Sequence, residues 1–152
     1  MSEWYFAYGS NLWIDQMIER TGPVHPDKRP MMARLPHHRL VFNMLGEQGE
    51  VYANLMYPGN GVLGVVYHCS QETLKIMDAH ESGYQQRDVR VVLENGAEVS
   101  AIAYFAEAAR IGNESQPRPE YLQRILDGAR QHGLPEVYIQ EIEATAQAKS
   151  AD

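Results

Sequence analysis

At 152 residues, 44% of them apolar and 22% charged, the chain has the size and composition of one folded domain and lies outside the range of disordered sequences. Its 13 Lys and Arg against 20 Asp and Glu give a net charge of −7, a field that repels phosphate backbones and anionic lipid, so no nucleic acid and no membrane is expected as a partner. A single cysteine, Cys69, excludes an internal disulfide and a cysteine-built metal cluster.

Trp4 to Tyr8 is an aromatic and apolar run that predicts a first strand, broken by the polar loop Gly9-Ser10-Asn11. Leu12 to Arg20 predicts a helix, with Leu12, Ile14, Met17 and Ile18 grouped and Gly22-Pro23 as its stop. The loop therefore lies between a strand end and a helix start, where several backbone N–H groups point the same way and suit an anion or oxyanion. Three strand-like runs follow, Leu40 to Leu45, Val51 to Tyr57 and Val62 to Tyr67, divided by the turn compositions Gly46 to Gly49 and Pro58 to Gly61. The third is almost continuously apolar and is expected at the centre of the sheet.

Ser70 to His80 predicts a short helix with Ser70 as N-cap and Glu72 in the first turn, ending close to Glu81. Val89, Val91 and Leu93 alternate, as do Val99, Ala101, Ala103 and Phe105, and Asn95-Gly96 between them signals an antiparallel hairpin. Pro119 and Glu120 open a helix with Leu122, Ile125, Leu126 and Ala129 on one face, closed by Gly133, and Pro135 starts another. No repeat or long linker interrupts the pattern. The expected fold is one α+β domain over 1–145, built on a small, mainly antiparallel or mixed β-barrel with flanking helices, followed by a mobile C-terminal tail over 146–152.

No stretch approaches the roughly 20 apolar residues of a membrane span. The opening Met1-Ser2-Glu3-Trp4 lacks the basic start and apolar stretch of a secretory leader, and the lone cysteine suits a reducing compartment, so the expected location is the cytoplasm. Lys28, Arg29, Arg34, His37, His38 and Arg39 fall close together but are interrupted by prolines and apolar residues, which reads as a solvated, partly strand-borne face. The six histidines form no spacing such as HExxH, and His37 and His38, adjacent on a predicted strand, point to opposite faces; no metal is expected. Cys69 reads as a small core residue rather than a nucleophile, since no base with an orienting partner is evident. Ser10 does not meet the G-x-S-x-G pattern. Glu81 stands between a helix end and a strand start, where half-burial raises a carboxyl pKa toward neutrality and suits it to proton transfer, although composition alone reads it as a surface residue.

Phe6-Ala7-Tyr8-Gly9-Ser10-Asn11-Leu12 resembles the N-terminal signature of the gamma-glutamylcyclotransferases, a strand ending in Tyr-Gly-Ser-Asn-Leu. The likeness continues in order: Gly64-Val65-Val66-Tyr67 is similar to the family's central Gly-Val-Val-Trp strand, and Leu74 to Glu81 to its Leu-x-x-Leu-Asp-x-x-Glu segment. Pro119 to Leu122, Gly128-Ala129, Gly133-Leu134-Pro135 and Tyr138 resemble its closing helices. Met77 and Ser82 stand where Leu and Gly are usual, and only two residues separate Glu81 from Tyr84. Leu12-Trp13 also resembles the glutathione-degrading cyclotransferases, whose loop usually lacks the asparagine present here as Asn11.

The resemblance implies a barrel whose cavity opens beside the Tyr8 to Leu12 loop. It also implies a reaction in which the α-amine of a gamma-glutamyl group attacks its own side-chain amide, giving 5-oxoproline and a free amine or amino acid. Ring closure is intramolecular, so orientation supplies much of the rate and no nucleophile, metal or cofactor is needed. By the same resemblance Glu81 is the general acid/base, Tyr8, Gly9, Ser10, Asn11 and Leu12 form the substrate-binding loop, and Tyr84 and Tyr121 are further hydroxyl contacts. Arg87 is expected as an exposed strand residue rather than at the cavity mouth. A non-catalytic module holding a glutamyl-like or aminoacyl group, or removal of a gamma-glutamyl protecting group from a biosynthetic intermediate, are the alternative functions. The expected partner is a small gamma-glutamyl substrate; oligomeric state stays open, a homodimer included.

Overall fold

Alternation and turn chemistry leave six predicted strands to be closed into sheets; the computed structural model, which describes residues 2–21 and 30–147, contains seven and shows how they close. The strands are β1 (Ser2–Ala7), β2 (Met31–Leu35), β3 (Arg39–Leu45), β4 (Val51–Met56), β5 (Val62–Ser70), β6 (Tyr84–Leu93) and β7 (Glu98–Ala106). Among the described residues four α-helices accompany them: α1 (Ile14–Thr21), α2 (Gln71–His80), α3 (Pro119–Gln131) and α4 (Glu136–Gln147). Five strands form a closed barrel in the order β1-β5-β2-β6-β7, sealed by a short parallel pairing of β1 with β7, and β3 and β4 form a separate two-stranded sheet. A five-stranded barrel is narrow enough for side chains to fill it. Phe6, Val62, Val65, Val66, Val91 and Ala103 are almost wholly buried in this core.

The near-continuous apolar run of β5 is explained by its two partners, β1 on one edge and β2 on the other, both antiparallel. Gly64 belongs to this crowding, because a Cβ there would collide with the Ala7 carbonyl oxygen of β1. Asn95-Gly96 turns β6 into β7 with Gly96 at φ 87°, as the sequence predicts. Ser70 caps α2 by accepting the Thr73 N–H at 3.1 Å.

Several expectations are corrected. β2 was not legible as a strand: it is five residues long, and the exposed Arg34 interrupts its apolar character. β6 starts at Tyr84, ahead of the alternation that begins at Val89; its polar first half, Gln85 to Asp88, is stabilised by pairing with β7 and not by burial. The first helix is a 3-10 turn over Ser10–Leu12 followed by α1 from Ile14. His37 and His38 lie in the turn between β2 and β3, with His37 at φ 66°, rather than on a strand. α4 runs to Gln147 with Ala146 buried, two residues into the expected tail. The remainder of that tail, the predicted Gly22-Pro23 helix stop, and Lys28 and Arg29 lie outside the described residues.

The β3–β4 sheet is fastened to the barrel by buried amides. Asn54, 1% exposed, accepts the Ala106 N–H of β7 at 2.9 Å and donates to the Asn43 side chain at 3.1 Å. With two polar residues satisfied this way, the hairpin stands as a wall facing the end of β1 and leaves a space between them.

Candidate active site

The loop after β1 is held from three directions. Leu12 N–H closes onto the Gly9 carbonyl at 3.0 Å and Trp13 N–H onto the Ser10 carbonyl at 3.1 Å, which leaves the N–H groups of Gly9, Ser10 and Asn11 outside the turn's own hydrogen bonds. From β5 the Tyr67 hydroxyl donates to the Asn11 carbonyl at 3.0 Å. From the end of α3, His132 Nε2 lies 2.8 Å from the Leu12 carbonyl, so that nitrogen carries the proton. Gly128 lets α3 lie directly on the loop, because a Cβ there would strike the Trp13 nitrogen and the Leu12 carbonyl carbon. A Cβ on Gly9 would point across the cavity at Ala53 and the Tyr121 hydroxyl, 3.5 and 3.6 Å away, so glycine keeps that space open.

The cavity between this loop and the β3–β4 wall has a volume of about 680 Å³, and Tyr8, Gly9, Ser10, Asn11, Glu81, Tyr84 and Tyr121 all line it. Glu81 arrives from the end of α2, where its N–H donates to the Asp78 carbonyl at 3.1 Å. The link to β6 is short because Gly83 adopts φ 89°, and it still delivers Tyr84 to the same cavity. The Glu81 side chain is 13% exposed, with Oε1 3.1 Å from Asn11 Nδ2 and 3.5 Å from Arg20 Nη1. Burial pushes its carboxyl up to about 7; the Arg20 guanidinium and the Asn11 hydrogen bond oppose that rise, and Asp78 adds to it. A carboxyl poised near neutrality can both take and return a proton.

The tyrosines divide by where their protons go. Tyr8 donates to the Tyr104 carbonyl at 2.6 Å and Tyr84 to the Ala53 carbonyl at 2.6 Å, so both protons are committed. Tyr121 instead accepts the Ala53 N–H at 3.0 Å, which leaves its own proton available to a bound molecule. Tyr84 and Tyr121 thus hold the carbonyl and the N–H of the same β4 residue, Ala53, and fix the hairpin wall. Burial raises all three hydroxyls above their ordinary pKa, so they stay protonated.

Leu12 is fully buried, its N–H is used in the turn, and it supports the loop from behind rather than lining the cavity. Arg87 is exposed with its guanidinium 4.7 Å from the centre of the Phe105 ring, outside the cavity. Cys69 is buried and its thiol is pushed up to about 12 by that burial, so it carries no thiolate near neutral pH. Among the described residues no three His, Cys, Asp or Glu side chains are grouped to hold a metal ion, and no helix is long and apolar enough to cross a membrane.

Sequence reasoning missed Tyr5, Gln16, Arg20 and Arg124, all of which line the cavity. One signal existed: Gln16 and Arg20 are four residues apart directly after the loop, a spacing that puts both on one helix face.

The AIG2-like family model matches residues 61–142. A human protein named gamma-glutamylcyclotransferase is 31% identical over 92% of this chain and 77% of its own length. A solved structure named gamma-glutamyl cyclotransferase superposes with a TM-score of 0.80 at 28% identity, covering 100% of this chain and 92% of the other. YkqA from Bacillus subtilis shares the fold, with a TM-score of 0.84 at 20% identity over 99% of this chain and 56% of its own.

Proposed function

The chain belongs to the AIG2-like family and is an enzyme of the gamma-glutamylcyclotransferase type, and on that premise we propose that Glu81 is the general acid/base of a ring closure releasing 5-oxoproline and a free amine or amino acid. The observation that carries this reading is the position of Glu81: a largely buried carboxyl, raised to about 7, lining a cavity it shares with the Gly9 to Asn11 loop.

In the proposed reaction the Glu81 carboxylate takes a proton from the substrate's α-ammonium. The freed amine nitrogen forms a bond to the side-chain amide carbon, and the carbonyl oxygen gains negative charge. The loop N–H groups of Gly9, Ser10 and Asn11 are the donors for that oxyanion or for the substrate carboxylate. As the carbon–nitrogen bond to the leaving amine breaks, Glu81 returns its proton to the departing nitrogen; the ring nitrogen sheds its second proton as the lactam forms, and the released amine takes it up from solvent as an ammonium, so no net proton is consumed. Tyr121, with its proton uncommitted, donates to the substrate; Tyr8 offers only lone pairs; Tyr84 and Leu12 hold the walls. The β3–β4 turn residues Gly46 to Gln48, with Arg110 and Arg118, line the same cavity.

Incubation with gamma-glutamyl amino acids, gamma-glutamyl amines and glutathione, followed by mass spectrometry for 5-oxoproline, tests the reading. Turnover of at least one class is expected. Binding without 5-oxoproline from any of them overturns it.

A further inference from the structure

Glu81 sits at the end of a chain of hydrogen bonds that begins on a different helix. Arg124 on α3 donates from Nη1 to Gln16 Oε1 at 2.9 Å. Gln16 donates from Nε2 to Asn11 Oδ1 at 2.9 Å and to Ser10 Oγ at 2.7 Å. Asn11 donates from Nδ2 to Glu81 Oε1 at 3.1 Å and also faces the Tyr5 hydroxyl at 2.9 Å and the Met77 sulfur at 3.3 Å. Both amides are buried, Asn11 at 4% and Gln16 at 3% exposure, so neither can turn to water for a missing partner.

The direction of this chain is fixed by chemistry. A guanidinium has donors and no acceptor, so the oxygen of Gln16 must face Arg124 and its nitrogen must face inward. Two donors, Gln16 Nε2 and Arg20 Nη1 at 3.2 Å, then hold the oxygen of Asn11, and its nitrogen must face Glu81. Reversing either amide sets donor against donor or oxygen against oxygen in a buried site, at a cost of about 1–3 kcal/mol for each unsatisfied group.

We propose that Arg124 and Gln16 are positioning residues for the reaction: through Asn11 they set which atoms face the Glu81 carboxylate and hold it aimed into the cavity beside the loop. The same chain ties Ser10, and so the loop itself, to Glu81, coupling the anion-binding backbone to the proton carrier. This rests on the proposed role of Glu81 for its catalytic meaning and on the hydrogen bonds alone for its geometry.

Other groups also act on Glu81: Arg20 from α1 and Asp78 from α2, with the neutral hydroxyls of Tyr5, Tyr8, Tyr84, Tyr104 and Tyr121 around it. The test therefore changes the chain and leaves those in place. In protein carrying carbon-13 glutamate, the Glu81 carboxyl is titrated by NMR in the parent, Gln16→Met, Arg124→Met and Arg124→Lys, with Glu81→Gln identifying the signal. Gln16→Met and Arg124→Met should each titrate higher than the parent by roughly half a pH unit or more, because a donor to the charged form is lost or loosened. Arg124→Lys, which keeps a donor for Gln16 Oε1, should titrate within about 0.2 of the parent on the same reasoning. Where 5-oxoproline is released, the acid limb of kcat/KM should move in the same direction. Equal titration in the parent and both methionine variants, each folded by circular dichroism, overturns the proposal. Absence of turnover with the titration shifts intact removes the role of Glu81 and leaves the chain standing.

Discussion

Replacing Glu81 by Gln should make the protein more stable at neutral and alkaline pH. In the fold the carboxyl holds its proton up to about pH 7, whereas its ordinary value is 4.5. Between those values the native state binds more protons than the unfolded chain, so the contribution of Glu81 to stability is fully present below pH 4.5 and is lost as pH rises through 7. The loss above pH 7 is on the order of 3 kcal/mol, which for a chain of this size corresponds to about 6–12 °C in Tm. A glutamine has the same shape and no proton to lose, and its oxygen can still accept from Asn11 and Arg20. Urea unfolding of parent and variant at pH 4.5, 6, 7 and 8 isolates the effect, because every other titrating group cancels in the difference. Similar stability at pH 4.5 and a gap in favour of the variant that widens to pH 8 are expected. A gap that stays constant with pH refutes the burial argument for Glu81.

Gly128→Ala should gain about 1 kcal/mol of helix propensity and lose about 1–3 kcal/mol by pressing a methyl against the backbone of Leu12 and Trp13. A lower Tm with a raised KM is expected, and a higher Tm with unchanged kinetics would show that α3 does not set the loop. Arg20→Met removes the strongest influence opposing the rise in the Glu81 pKa. The acid limb of 5-oxoproline release should therefore move to higher pH, with activity lost at pH 7 and partly regained at pH 8.5; a limb that stays put contradicts the Arg20 contact.

Much of the barrel was legible because its signals are local. The Asn95-Gly96 turn, the Ser70 cap and the apolar run of β5 each depend on residues within a few positions of one another. β2 and the first half of β6 were not, since their stability comes from partners far along the chain: Ala33 pairs with Gly64 and with Leu93, and Gln86 with Tyr104. The separation of β3 and β4 into their own sheet was equally hidden. Nothing in the alternation distinguishes them from barrel strands, and the buried asparagines that dock them look like ordinary polar residues in sequence. The site followed the same division. The loop could be placed at a strand end from Gly9-Ser10-Asn11, and Glu81 at a helix end. The surroundings that act on Glu81, however, are Arg20, Asn11 and tyrosines of β1, β6, β7 and α3, brought together only by the fold. The use of Tyr84 and Tyr121 to hold the carbonyl and the N–H of Ala53 is a property of the folded hairpin wall alone.

The dependence of 5-oxoproline release on pH, measured as kcat/KM for the parent and for Glu81→Gln, tests the central claim most directly. The parent should lose activity about tenfold per pH unit below an inflection near pH 7, and the variant should fall by several orders of magnitude and lose the inflection. A variant within tenfold of the parent, with the same inflection, would place the proton carrier elsewhere.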